Sequence, residues 1–242
     1  MLVAAAVCPH PPLIVPELAG SAASELDPLR TACTEALRSL VRSGPDVIVV
    51  LGGADRSASY PGDAAGTLRP WGVDVRVGRG APVLPLSLTV GRWLLDRAGL
   101  PGPVPAVRFE AVAIDAQPDE CAALGAKIAR AGDRVAVLAM GDGSARLTEK
   151  SPGYLHPAAA PYDEMLADAL GNARVDRLAV LDPAEAADLW VAGRAVFQTL
   201  AAVAGARDES IAAGGLRGEL LYQDAPYGVG YLVARWSAAD AA

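Results

Sequence analysis

Histidine and lysine are nearly absent from this 242-residue sequence. The two histidines are His10 and His156 and the two lysines Lys127 and Lys150, so any site that needs an imidazole has only two positions to use. A basic surplus is missing as well. Lys and Arg number 21 against 28 Asp and Glu, a net charge of −7 with a pI near 4.9. Nucleic acids are held by concentrated positive charge that releases counterions, so this balance argues against a nucleic-acid partner. Paired cysteines are missing too. Cys8, Cys33 and Cys121 are an odd number without paired spacing, which excludes a disulfide framework and fits a reducing, cytoplasmic setting. No run of about 20 apolar residues is free of charges and breakers, so no membrane span is expected. Residues 1–7 are apolar but have no basic flank, and Pro9, Pro11 and Pro12 follow at once, a poor signal peptide. Several catalytic motifs are also missing. The glycines around Asp142 match neither G-x-G-x-x-G nor a P-loop. Arg146 stands where a G-x-S-x-G elbow around Ser144 would need glycine. Neither C-x-x-C nor H-E-x-x-H occurs.

What is present is apolar and periodic. Hydrophobic residues make up 52% of the chain, enough for a sizeable core. Residues 2–8, 46–51, 107–114 and 134–140 are short apolar runs bounded by proline, glycine or charge, the pattern of buried strands. Between the first two lies a helical stripe, Leu26, Leu29, Cys33, Leu37 and Leu40, predicting a helix over 24–42 with Pro28 in its first turn. Further helices are expected at 88–98 (ended by Gly99-Leu100-Pro101-Gly102), 118–131 and 161–170, with one long apolar helix over 183–204. Residues 60–85 read as an irregular excursion with a short strand at 73–77. Two strands, 218–224 and 228–236, close the chain as a hairpin-like pair ahead of a short tail from Ser237. The order predicts one α/β domain over 1–242, with a mostly parallel central sheet flanked by helices.

In such a sheet ligands bind beyond the carboxyl ends of the strands. The expected partner is therefore a small molecule in a cleft at those ends, with self-association into a homo-oligomer as a further expectation. His10 and Asp55 each follow a strand end and could share that cleft; Cys8, two residues before His10, could face it as well. Asp142 follows the strand at 134–140 between two glycines. Asp55, Tyr60, Arg146 and His156 are candidate substrate contacts. Glu185 and Asp188 stand near the start of a helix, where carboxylates also serve as caps. For each of these an ordinary turn, cap or solvated charge is the competing explanation.

Taken together the segments resemble the LigB-type class III extradiol dioxygenase and Memo-like superfamily. The resemblance rests on Pro9-His10-Pro11-Pro12-Leu13-Ile14-Val15-Pro16-Glu17 and on Gly141-Asp142-Gly143-Ser144-Ala145-Arg146-Leu147, which is similar to a Gly-Asp-Leu-Ser-His-Arg-Leu segment of the family. Weaker likenesses lie at 46–53, 153–170, Ala192-Gly193-Arg194-Ala195-Val196-Phe197 and Pro226-Tyr227-Gly228-Val229-Gly230-Tyr231. The resemblance implies Fe(II) held by two histidines and a carboxylate, with another histidine as acid/base, in a metal-dependent oxidoreductase acting on a small aromatic. His10 falls on the first ligand, and Asp142 is retained, so these two carry the catalytic assignment. The second histidine is replaced within Gly53-Ala54-Asp55, where Asp55 could supply oxygen to iron or zinc. The carboxylate ligand would be Glu185 or Asp188. The acid/base histidine falls on Ala145, with His156 the nearest imidazole in sequence. The alternative is a non-catalytic descendant of that fold that binds a small molecule or a protein, and the cofactor is then none.

Overall fold

The computed structural model describes residues 1–99, 105–206 and 215–238. In chain order the strands are β1 (Leu2–Cys8), β2 (Val47–Ala54), β3 (Ala58–Tyr60), β4 (Gly66–Thr67), β5 (Arg76–Val77), β6 (Ala106–Ala113), β7 (Val135–Met140), β8 (Leu216–Asp224) and β9 (Tyr231–Ala238). The helices are α1 (Pro16–Ala19), α2 (Asp27–Arg42), α3 (Leu86–Arg97), α4 (Pro118–Ala129), α5 (Ala159–Gly171), α6 (Val175–Ala179), α7 (Pro183–Asp188) and α8 (Arg194–Gly205). Seven strands form one sheet in the order β3-β6-β2-β7-β1-β9-β8. Its centre, β6-β2-β7-β1, is parallel, and β3, β9 and β8 add antiparallel edges. The expected α/β architecture and the terminal strand pair are both present.

The side chains of β1 alternate between two cores. Leu2, Ala5 and Val7 pack with α4, α5 and α8, whereas Ala4, Ala6 and Cys8 pack with α2 and α3. Helices on both faces explain why the central strands read as continuous apolar runs. Cys8 therefore points into the core under α2, beside Cys33, and not toward the cleft that holds His10. Burial first, and the Cys8 thiol second, hold the Cys33 thiol well above its ordinary pKa, so Cys33 is a protonated packing group.

Several expected boundaries move. The α-helical ladder starts at Asp27, not residue 24, because the Pro28 ring would clash with a carbonyl four residues back; Gly20–Leu26 wind instead as a 3-10 turn. The short strand expected at 73–77 shrinks to Arg76–Val77, and α6 was not anticipated. The long helix over 183–204 is two helices. After α7 the chain turns at Trp190 (φ +54°), with Val191 N–H donating to Ala186 O (2.8 Å) and Trp190 N–H to Ala187 O (3.2 Å), a Schellman stop. The freed segment pairs with the extension of β7: Ser144 bridges Val191, and Gly193 N–H donates to Asp142 O. β9 reaches Ala238, past the expected start of the tail. The rest of that tail, and the helix-ending turn beyond Gly99, lie outside the described residues.

Gly52 and Gly53 belong to β2 and do not end it. A Cβ on Gly52 would lie 2.5 Å from Ser87 Oγ and 2.8 Å from Ser87 Cβ, so α3 rests directly on the strand backbone, and Ser87 Oγ donates to Gly53 O at 2.7 Å. Gly52→Ala should therefore lower unfolding stability by about 1–3 kcal/mol through overpacking. Denaturant titration checks this; a wild-type midpoint would mean that α3 yields without cost.

Candidate functional site

β1 is followed by α2 on one face of the sheet, and β7, its neighbour, by α5 on the other. Connections that leave adjacent parallel strands toward opposite faces open a crevice between their carboxyl ends. His10 and Asp142 stand there. Asp142 Oδ1 accepts the backbone N–H of His10 at 2.8 Å and lies 3.5 Å from His10 Nδ1. Both side chains are about seven-eighths buried, and His10 Nδ1 has no hydrogen-bond partner. At 3.5 Å the side-chain contact is electrostatic and not a hydrogen bond.

The backbone around Asp142 is tied on both sides. Gly141 N–H donates to Cys8 O, Gly143 N–H to Gly230 O, and Gly230 N–H to Ser144 O. Beneath lies Asp163, on the apolar stripe of α5 with Leu166, Ala167 and Leu170. Its Oδ1 accepts Ser144 N–H at 2.8 Å; its Oδ2 is buried without a partner against Gly143 and Gly230. Burial pushes the Asp163 carboxyl up to about 6, partly offset by the Ser144 N–H. Tyr231 stands nearby, its phenol held protonated by burial and then by the charge of Asp142. Sequence reasoning missed Asp163; the available signal was a carboxylate at i of an apolar i, i+3, i+4, i+7 stripe.

The other expected residues fall into two further groups. Asp55 and Tyr60 line a cavity of about 350 Å³ at the end of β2, with Arg56, Trp71, Pro82 and Leu84 among its other walls. β7 lies between β1 and β2 in the sheet, so Asp55 and His10 flank it instead of meeting. Arg146 and His156 converge on Asp188. Arg146 Nε donates to Gly153 O and Nη1 to Asp188 O, both at 2.8 Å, and Nη1 is 3.3 Å from Asp188 Oδ1. His156 accepts Ala158 N–H on Nδ1 and places Nε2 3.5 Å from Asp188 Oδ2. Glu185 is exposed in the first turn of α7, which Asp182 caps.

The profile of the family described as the catalytic LigB subunit of aromatic ring-opening dioxygenase matches residues 83–234. The chain belongs to the LigB family. The matched span holds Asp142, Arg146, His156, Asp163, Glu185 and Asp188, and begins after His10, Asp55 and Tyr60. Among solved structures, an uncharacterized protein, JW3007, from Escherichia coli K12 is 15% identical. That alignment covers 97% of this chain and 99% of that one with a TM-score of 0.53, a likeness of fold. No curated protein matches the chain. No helix among the described residues is long and apolar enough to cross a membrane.

The iron that LigB-family ring opening implies asks for two imidazoles and a carboxylate on one centre. Among the described residues no three His, Cys, Asp or Glu side chains converge. His10 meets Asp142 alone, Asp188 is held by Arg146 and His156, and Asp55 lines a separate cavity. The residues present do not fit that metal.

Because the native chain binds the Asp163 proton more tightly than the unfolded chain, whose carboxyl titrates near 3.8, the cost of this carboxylate is absent below about pH 4. It is fully expressed above about pH 6. Asp163→Asn should raise stability at pH 7.5, by on the order of 2–3 kcal/mol, and change it little at pH 4. Thermal melts at the two pH values check this; destabilisation at pH 7.5 would mean that the ionised carboxylate has a partner.

Proposed function

We propose that this LigB-family chain binds a small molecule, a flat and largely apolar ring with a polar substituent, at the carboxyl edge of its sheet, without the iron chemistry of ring-opening relatives. The observation that carries this reading is the cavity of about 350 Å³ beside β2, whose walls combine Tyr60 and Trp71 with Asp55 and Arg56. Its size falls in the range of small-ligand sites, and its mix of aromatic walls and a few polar groups is what such sites use. Aromatic faces and proline rings favour a planar apolar body. The Arg56 guanidinium and Asp55 carboxylate favour a substituent that both accepts and donates hydrogen bonds, as a phenol or carboxylic acid does.

His10 and Asp142 add a polar pair at the neighbouring strand ends. The imidazole and the carboxylate are the polar groups a ligand would meet there. The position that resembles the family's acid/base histidine is Ala145, which moves no proton. General acid/base assistance is worth roughly 10²–10⁴-fold in rate, so its loss favours binding over turnover.

The test joins binding to elemental analysis on protein purified without oxygen. A panel of monocyclic phenols and aromatic acids, read by tryptophan fluorescence, should yield a binder that Trp71→Ala weakens about tenfold or more. Wild type and His10→Ala should carry equally little iron. Near-stoichiometric iron that is lost in His10→Ala, with oxygen uptake on catechols, would overturn the reading in favour of a ring-opening oxygenase.

A further inference from the structure

At the other end of the sheet, a groove of about 840 Å³ opens where the beginnings of β1 and β8, the end of β9 and the end of α2 come together. Leu2 and Trp236, both buried, form its floor. Its walls carry four arginines, Arg42, Arg134, Arg217 and Arg235, against a single acid, Glu219. Arg235 is neutralised, 2.6 Å from Glu219 and 3.0 Å from Glu35. The other three make no ion pair with any carboxylate among the described residues.

These arginines differ from others on the surface. Arg69 and Arg174 each fold onto an acid a few residues away, Asp74 and Asp176. Arg134 is fixed by donating to the backbone carbonyls of Ser43 and Gly44, which orders its guanidinium at the rim without cancelling its charge. The side chains of Arg42 and Arg217 have no partner among the described residues. In a chain of net charge −7, with acids outnumbering bases, three uncancelled guanidinium groups around one concavity make a local positive field that counterions or a ligand must satisfy.

We propose that this groove is a second binding site, for a small molecule carrying two or more phosphoryl groups. A guanidinium presents a planar fork of N–H donors that matches phosphate oxygens two at a time. Several forks around one cavity select an oligo-anion over a single ion, and the volume is ample for a diphosphate with an attached group. Ser237, also on the wall, adds a hydroxyl. The site is independent of the cavity lined by Asp55 and Tyr60, with which its lining shares no residue.

Isothermal titration of the full chain with inorganic pyrophosphate and with tripolyphosphate, in about 150 mM salt, tests this. Binding with a dissociation constant below about 1 mM is expected. Arg42→Gln and Arg217→Gln should each weaken it about tenfold. Arg79→Gln removes an exposed arginine outside the groove and should leave binding unchanged. A parallel titration with ADP separates the sources: tighter binding than pyrophosphate identifies a nucleotide, and equal binding identifies the phosphates alone. No saturable heat up to about 10 mM, or equal weakening by all three substitutions, would overturn the assignment.

Discussion

Where β7 runs out, several backbone segments pass at distances that no side chain would allow. A Cβ on Gly141 would lie 2.9 Å from Gly193 Cα, one on Gly193 would lie 2.7 Å from Asp142 O, and one on Gly143 would lie 2.6 Å from an Asp163 oxygen. The crevice that holds His10 and Asp142 depends on this junction. It fixes Asp142 against the N–H of His10, brings the segment after α7 alongside the extension of β7, and buries Asp163 beneath both. The glycines are there for approach, because a Cβ at any of them would push apart the strands that aim the polar side chains.

The junction also explains where the molecule holds strain. Trp190 occupies the left-handed position of a Schellman stop, where glycine is usual and a larger residue costs about 1 kcal/mol. Tyr154 is left-handed as well. Both flank the segment 144–146: Trp190 O accepts Ala145 N–H, and Gly153 N–H donates to Ala145 O. Arg146 clips the same two loops through Gly153 O and Asp188 O. Arg146, His156 and Asp188 thus read best as the brace of these loops, a role that accounts for their geometry without a ligand.

Family membership and site chemistry separate in this protein. Membership of the LigB family rests on a matched span of chain, residues 83–234, and a shared fold hosts many functions. A metal centre rests on a few atoms within bonding distance of one point, and a single replaced imidazole dissolves it. The sheet, its switch point and the crevice remain, and the donors that would fill that crevice with iron do not converge. The acidic balance of the whole chain likewise hides a local field of opposite sign at the far end of the sheet, because net charge is a sum and binding responds to the nearest groups.

The sequence by itself determined the elements whose signals are local. Apolar runs between breakers marked β1, β2, β6 and β7, the stripe from Leu26 to Leu40 marked α2, and two short runs at 218–224 and 228–236 marked the terminal pair, since burial on a face leaves a local pattern whatever the neighbours are. It also marked His10, Asp55 and Asp142 as residues just beyond strand ends. Only the tertiary structure decided which of them meet. Strand order inserts β7 between β1 and β2, so His10 pairs with Asp142 while Asp55 lines another cavity. Likewise, the apolar composition of 183–204 is the same for one helix as for two. The break at Trp190 comes from pairing with residues far away in sequence. Asp163 reads as one acid in a helix until Gly143 and Gly230 close over it. Local patterns record which face of an element is buried; which buried groups touch is set by contacts between distant segments, and no period in the sequence encodes them.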